Sequence, residues 1–339
     1  MKRTQPLQVL IASYLEPEHV ARIRAVPGVE VMYEPDLLPQ PTYTGQHHGQ
    51  TFVRTPQGEA RWRGMLARAD VLFDFDFTNL EQIPALAPRV RWIQATSAGI
   101  GELLARTGLD DTPITFTTAS GVHAGALAEF CVAAMLVFVK ELNRLKADQA
   151  ARRWERYCAR ELRGMTLGII GLGHVGREIA RLGHALGMRV IGTKRTVPAD
   201  GLPCVDRVLP PEGSSEVIRE ADVLVLIVPQ TAETRRLLGA RELRSMKRGA
   251  ILINIARGAI VDEAALVDVL REGHLGGAAL DVFAKEPLPA DSPLWELPNV
   301  IVSPHSASTV PAENARLTDL FCENLRRYLD NKPLINVFD

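Results

Sequence analysis

Short apolar runs of Val, Ile and Leu alternate along this chain with segments of helical period, the pattern expected of parallel α/β folds. In the first third, strands are expected at Val9–Ala12, Val29–Tyr33, Val71–Phe75, Val90–Gln94 and Ile114–Thr117, with helices at Pro17–Val26 and Glu59–Ala69. A long helix is expected over His123–Asp148. There Ala128, Cys131, Val132, Met135, Val139 and Leu142 recur at three- and four-residue spacings and make one face apolar. After a charged stretch the rhythm restarts at Met165, with strands at Leu167–Ile170, Arg189–Gly192, Val223–Val228, Ala250–Asn254, Ala278–Val282 and Val300–Val302. A last helix runs from Pro311 to Leu329, and no internal repeat stands out. The stretch from Pro35 to Gly58 is rich in Pro, Gly, Thr and Gln and reads as an exposed polar loop, with His47 and His48 as solvated residues.

Composition narrows the class. At 339 residues, about two domains are expected. The 46% hydrophobic and 23% charged residues are ordinary for a globular protein and exclude disorder, a fibre or a membrane bundle for the chain as a whole. Lys and Arg number 39 against 40 Asp and Glu, with no basic stripe, so a small-molecule ligand fits better than nucleic acid. Cys131, Cys158, Cys204 and Cys322 are scattered and form no CxxC pair. They read as thiols of a reducing compartment, with Cys131 in a core and no metal site. Glu16 and Glu18 cut short the first apolar run, and Cys131–Val139 is too brief to span a bilayer, so a cytoplasmic protein off the membrane is expected.

The most informative local motif is Gly171-Leu172-Gly173-His174-Val175-Gly176, a GxGxxG directly between an expected strand and an expected helix. The first glycine permits a tight turn, the second lets backbone approach a pyrophosphate, and the third allows close helix–strand packing. The helix start supplies amide donors and positive dipole to phosphate. NAD-selective sites usually carry an acid about 20 residues further on. Here the second strand ends Thr193-Lys194-Arg195 instead, which suits a 2′-phosphate, so NADP(H) is the expected cofactor, with NAD(H) a further candidate.

Three later segments carry further chemistry. Arg257 follows the apolar run of AILINIARG, Asp281 and Glu286 lie in LDVFAKEPLP, and His305 ends NVIVSPHSAS. Strand carboxyl ends are where open α/β sheets bind ligands. A guanidinium can clamp a carboxylate and polarise the adjacent carbonyl. An imidazole can give a proton to a nascent alkoxide, steadied by a carboxylate. The set therefore suits an α-keto acid reductase. The remaining histidines, His123, His174, His184 and His274, read as helix or loop residues, and Trp295 as packing under the cofactor domain.

With SAGIG and DVFAKEPLPADSPLWELPNVIVSPHSA, these motifs resemble the D-isomer-specific 2-hydroxyacid dehydrogenase family, in its order and spacing, from about Arg89 to Leu329. The resemblance implies two Rossmann-like domains with a cleft between them. A doubly wound parallel cofactor domain (117–304) would be inserted into a flavodoxin-like substrate domain (1–116 with 305–339). It implies Arg257 as substrate-binding arginine, Glu286 as the acid paired with histidine, and His305 as general acid/base. Asp281 would contact the nicotinamide carboxamide, and Val228, Pro229, Ile255 and Ala256 would line the cofactor. Backbone amides of Ala98, Gly99 and Ile100 would hold the substrate carboxylate. The His123–Asp148 helix would form a homodimer. The sequence departs from the family in lacking an acid near Lys194 and in having Gly101 where many relatives have Asp. The expected activity is reduction of glyoxylate, hydroxypyruvate or a related 2-keto acid. Two alternatives stand beside it: a non-catalytic, dinucleotide-sensing interaction protein of co-repressor type, and a phosphite-type dehydrogenase with the same triad.

Overall fold

The computed structural model describes residues 5–49 and 52–338; Gln50 and Thr51, within the expected polar loop, lie outside it. The chain divides into two compact units, one of residues 1–122 with 309–339 and one of residues 123–308.

The first unit is built on a parallel sheet of β1 (Leu7–Ile11), β2 (Val29–Met32), β3 (Val71–Phe73), β4 (Trp92–Gln94) and β5 (Thr115–Thr117), in the order β2-β1-β3-β4-β5. That is the flavodoxin-like order, whose reversal point lies between β1 and β3. Around it run α1 (Pro17–Arg24), α2 (Pro56–Leu66), α3 (Ile83–Leu86) and α4 (Gly101–Thr107). The final helix, Glu313–Leu329, returns to this unit and buries Leu317, Phe321 and Leu325 against Leu7, Val9, Ile11 and Trp92. Strands buried on both faces read as continuous apolar runs, which is why the hydrophobic pattern located them.

The second unit opens with α5 (Ala124–Val139) and α6 (Leu142–Ala150). Its seven strands are β6 (Thr166–Ile170), β7 (Arg189–Thr193), β8 (Arg207–Leu209), β9 (Val223–Leu226), β10 (Ile251–Asn254), β11 (Gly277–Leu280) and β12 (Val300–Val302). They form one parallel sheet in the order β12-β11-β10-β9-β6-β7-β8, reversing between β6 and β9 as in the doubly wound fold. The crossover helices are α7 (His174–Ala185), α8 (Ser214–Glu220), α9 (Ala240–Ser245) and α10 (Glu263–Arg271).

Several expectations need correction. The units divide at 122/123 and 308/309, not at 116/117 and 304/305. Residues 117–122 stay with the first unit because Thr118 N donates to Asn336 O and Ala119 N to Ser97 O. Ser306 and Ala307 stay with the second because both amides donate to Asp281 Oδ1. The single helix expected over His123–Asp148 is two. Glu141 takes a left-handed φ of +53°, and the Tyr157 hydroxyl donates to the Lys140 carbonyl at the break. Trp295 is 52% exposed rather than packed under the unit; its indole N–H donates to Pro289 O, and Leu294 is the buried neighbour.

The stretch from Pro35 to Gly58 is not simply an exposed polar loop. Its described residues include buried Leu37, Leu38 and His47. His47 lies between Ser13 Oγ (3.1 Å) and Asn314 Oδ1 (2.8 Å), and burial pushes it down to about 4, so it is neutral in the folded chain. Arg54, from the same stretch, is sealed against Asp76. Side-chain hydrogen bonds to distant elements hold the stretch in place, and apolar periodicity does not register them.

Candidate active site

Because every strand of the second unit is parallel, the segments leaving their carboxyl ends share one edge of the sheet. The glycine loop leaves β6 there. Gly171 has φ +113°, and a Cβ on it would lie 2.3 Å from Ile227 O; one on Gly176 would lie 2.0 Å from Gly171 O. Neither position tolerates a side chain. Gly173, by contrast, faces open space, so an anionic group can approach its backbone at the start of α7. Leu172 is buried beneath, its N–H donating to Thr193 O, and Val175 is packed on the same core. Beyond β9, Val228 is half-buried and Pro229 O accepts from Thr234 Oγ1.

Positive charge gathers beside this loop. Burial, together with Arg177 and Lys194, holds His174 below the ordinary histidine value. Lys194 is fixed at the end of β7 by its N–H to Leu209 O, and Arg195 beside it is exposed. Among the described residues, no ion pair neutralises either cation. A cradle open only at Gly173, a helix start and unpaired cations fit the phosphates of a nicotinamide dinucleotide.

Three neighbouring strands deliver the remaining groups. After β10, Ile255 and Ala256 are buried and Arg257 is half-buried, its guanidinium donating to Ala256 O at 2.7 Å. After β11 comes buried Asp281, followed by Glu286. After β12 comes His305, at the left-handed φ of +54°, a conformation that persists in a non-glycine residue only where surroundings enforce it. Here Asp281 Oδ1 accepts from Ser303 Oγ (2.5 Å), Ser306 N (2.8 Å) and Ala307 N (3.0 Å), on both sides of the histidine. Burial raises the Asp281 carboxyl, and those donors oppose the rise.

His305 Nδ1 donates to Glu286 Oε2 over 2.8 Å, while Glu286 Oε1 accepts from Phe283 N over 3.0 Å. The hydrogen bond to Glu286 raises the histidine above its usual value, against partial burial. Burial works to raise Glu286, but the bonds from His305 and Phe283 prevail and hold it below the usual carboxylate range. With Nδ1 engaged, Nε2 is the nitrogen left to exchange a proton. The Arg257 and Glu286 loops meet at Gly258, where a Cβ would come within 1.9 Å of the Phe283 carbonyl carbon. Glu263, at the start of α10, secures the second loop by accepting from Ala284 N.

The geometry thus gathers Arg257, Asp281, Glu286, His305 and the glycine loop on one unit. Ala98, Gly99 and Ile100 belong to the other, in the turn between β4 and α4, where Ile100 is buried. At Gly101, where the sequence departs from many relatives, an added Cβ would lie 3.2 Å from the Phe338 ring. Sequence reading passed over Asn254, Gly258, Glu263 and Ser303, which hold the loops. The usable signal was a polar residue closing the apolar run of AILIN and a glycine directly after the arginine.

Residues 132–307 match the family described as D-isomer specific 2-hydroxyacid dehydrogenase, NAD binding domain. The chain belongs to this family. A glyoxylate reductase of Aeropyrum pernix is 38% identical over 263 residues, 73% of this chain and 75% of the relative. A family member from Xanthobacter autotrophicus, solved with NADPH and MES, superposes with a TM-score of 0.79 at 28% identity, covering 98% of each chain. An NADPH-dependent glyoxylate/hydroxypyruvate reductase from Sinorhizobium meliloti, solved with NADP and sulfate, gives 0.79 at 25% identity, over 99% of this chain and 98% of that one. As a D-isomer specific 2-hydroxyacid dehydrogenase, the protein is an oxidoreductase that binds a nicotinamide dinucleotide. No helix among its described residues is long and apolar enough to cross a membrane.

Proposed function

We propose that the protein reduces glyoxylate, hydroxypyruvate or a closely related small 2-keto acid with NADPH, giving the D-2-hydroxy acid. The observation carrying this is the His305–Glu286 hydrogen bond, set on the strand edge that also bears Arg257. When bound, the reduced nicotinamide supplies the hydride for the keto carbon. Arg257 clamps the substrate carboxylate and polarises the carbonyl, with the Ala98–Ile100 amides as further carboxylate donors. His305 delivers a proton from Nε2 to the developing alkoxide, and Glu286 steadies the imidazolium. Val228, Pro229, Ile255, Ala256 and Asp281 line the dinucleotide, and the 2′-phosphate is taken by Lys194 and Arg195. The names of the Aeropyrum and Sinorhizobium enzymes support the substrate class, and the latter supports the cofactor.

A panel of 2-keto acids assayed with both cofactors tests the reading. Turnover of glyoxylate or hydroxypyruvate with NADPH is expected, and a strong preference for NADH would sink the cofactor assignment. A charge-assisted hydrogen bond contributes about 1.5–3 kcal/mol. The double replacement Lys194→Ala and Arg195→Ala is therefore expected to lower kcat/KM for NADPH by about tenfold or more while sparing the NADH value.

The pH dependence follows from the pair. Reduction uses protonated His305, and the hydrogen bond to Glu286 raises this histidine above its usual value, so kcat/KM falls as pH rises through the raised value. Glu286→Gln removes the raising charge, and the fall is expected to begin at lower pH in a pH–rate profile. An unmoved profile would detach Glu286 from the histidine.

The proposal includes a homodimer through the His123–Asp148 region. Its support is that, apart from Glu129, α5 is apolar on its outward side too. Val132, Ala133 and Leu136 there line a groove with Leu182, Ala185 and Leu186 of α7, and Trp154 nearby in sequence is 96% exposed. A light-scattering mass of twice the chain is expected.

A further inference from the structure

We propose that Asn254 is a positioning residue for the reaction, holding Arg257 in the orientation in which its guanidinium meets the substrate carboxylate. This rests on the reading of Arg257 as the carboxylate-binding residue.

Asn254 is the last residue of β10 and is 1% exposed. Its main chain is fixed by the sheet, paired with Leu226 of β9 and Leu280 of β11, and its carbonyl accepts from Asp281 N. From that anchored position the side chain reaches forward over the turn carrying the arginine. Oδ1 accepts from Ala256 N at 3.1 Å, and Nδ2 donates to Arg257 O at 3.1 Å. The two gripped groups flank the Ala256–Arg257 peptide, whose own carbonyl receives the Arg257 guanidinium at 2.7 Å. One buried amide therefore sets both sides of the peptide on which the side chain folds back.

The chemistry of the residue is specific. A buried amide must find partners for both ends, and Asn254 finds them in this turn, at Ala256 N and Arg257 O. Asp offers no donor and Ala offers neither group. Ser has donor and acceptor on a single atom nearer the backbone, in place of the two separate atoms by which Asn254 grips the turn, and Gln carries an extra methylene that displaces the grip. Asn254 touches neither the substrate nor the reacting atoms; its effect passes through Arg257.

The test is a double-mutant cycle between Asn254 and Arg257 in the full-length enzyme, with NADPH and glyoxylate or hydroxypyruvate as the probes. Asn254→Ala and Asn254→Ser are each expected to lower kcat/KM for the 2-keto acid by about ten- to a hundredfold, the scale for small misplacements of a binding group. The loss is expected mainly in KM. NADPH affinity, read by fluorescence titration, is expected to stay unchanged, which also establishes that the variants fold. In an Arg257→Ala background the Asn254 replacements are expected to add nothing further, because the group they position is gone. Full additivity of the two losses, or a parallel loss of NADPH affinity, overturns the proposal. So does unchanged kcat/KM in either folded single variant. Arg257→Ala leaving KM unaltered would instead overturn the reading on which the proposal rests, a result the cycle reports separately.

Discussion

Replacing His305 with asparagine is expected to lower kcat for 2-keto acid reduction by about 10²–10⁴-fold, the range for loss of a positioned general acid. NADPH binding is expected to survive. The separation follows from where the residue sits: β12 delivers it, Glu286 orients Nδ1, and the glycine cradle is formed by β6 and α7. Asparagine tolerates a left-handed backbone better than most residues, so the change tests the imidazole rather than the φ of +54°. Stopped-flow and steady-state assays with saturating NADPH give the decisive number. A variant with near-normal turnover would remove His305 from proton transfer.

The second large effect concerns stability. Arg54 and Asp76 form an ion pair (Nη2–Oδ1, 3.6 Å) with side chains only 2% and 1% exposed. The guanidinium lies 4.2 Å from the centre of the Trp62 ring and donates to Leu37 O and Thr78 Oγ1. Asp76 accepts from Trp62 Nε1, Thr78 Oγ1 and Asn79 Nδ2. Arg54→Ala leaves the buried carboxylate without its cation, and breaking such a pair costs about 3–5 kcal/mol. That is a large part of the 5–15 kcal/mol by which a typical protein is stable. Urea unfolding followed by tryptophan fluorescence is expected to show a correspondingly lower midpoint. A loss under about 1 kcal/mol, the scale of an exposed pair, would show that solvent reaches the cluster.

How much was legible beforehand depended on the kind of force involved. Core strands such as Leu167–Ile170 and Val223–Leu226 announce themselves because strands buried on both faces must be continuously apolar. The glycine loop is legible because backbone crowding at Gly171 and Gly176 excludes every other residue. β8 and the short helices α8 and α9 leave weak periodicity; β8 is an edge strand only partly buried. The break at Glu141 was invisible because apolar spacing continues through Leu142, while the Tyr157 hydroxyl that bonds the Lys140 carbonyl there lies 17 residues further along than Lys140. His47 looked solvated because its partners, Ser13 and Asn314, lie 34 and 267 residues away. Within the candidate site, the groups proposed to do chemistry have distinctive residue types, whereas Asn254, with two side-chain hydrogen bonds, and Glu263, with one to Ala284 N, leave no periodic trace.

The return of the final helix to the first unit also governs the order in which the molecule can be made. Residues 123–308 are contiguous, so their core can close as soon as they leave the ribosome. The N-terminal sheet emerges earlier but lacks Leu317, Phe321 and Leu325, which cover Val9, Ile11 and Trp92. It must wait, with that face open, through the synthesis of the whole intervening unit. During translation the earliest segment is thus the last to be finished, and its uncovered strands are the surface a nascent-chain chaperone would meet.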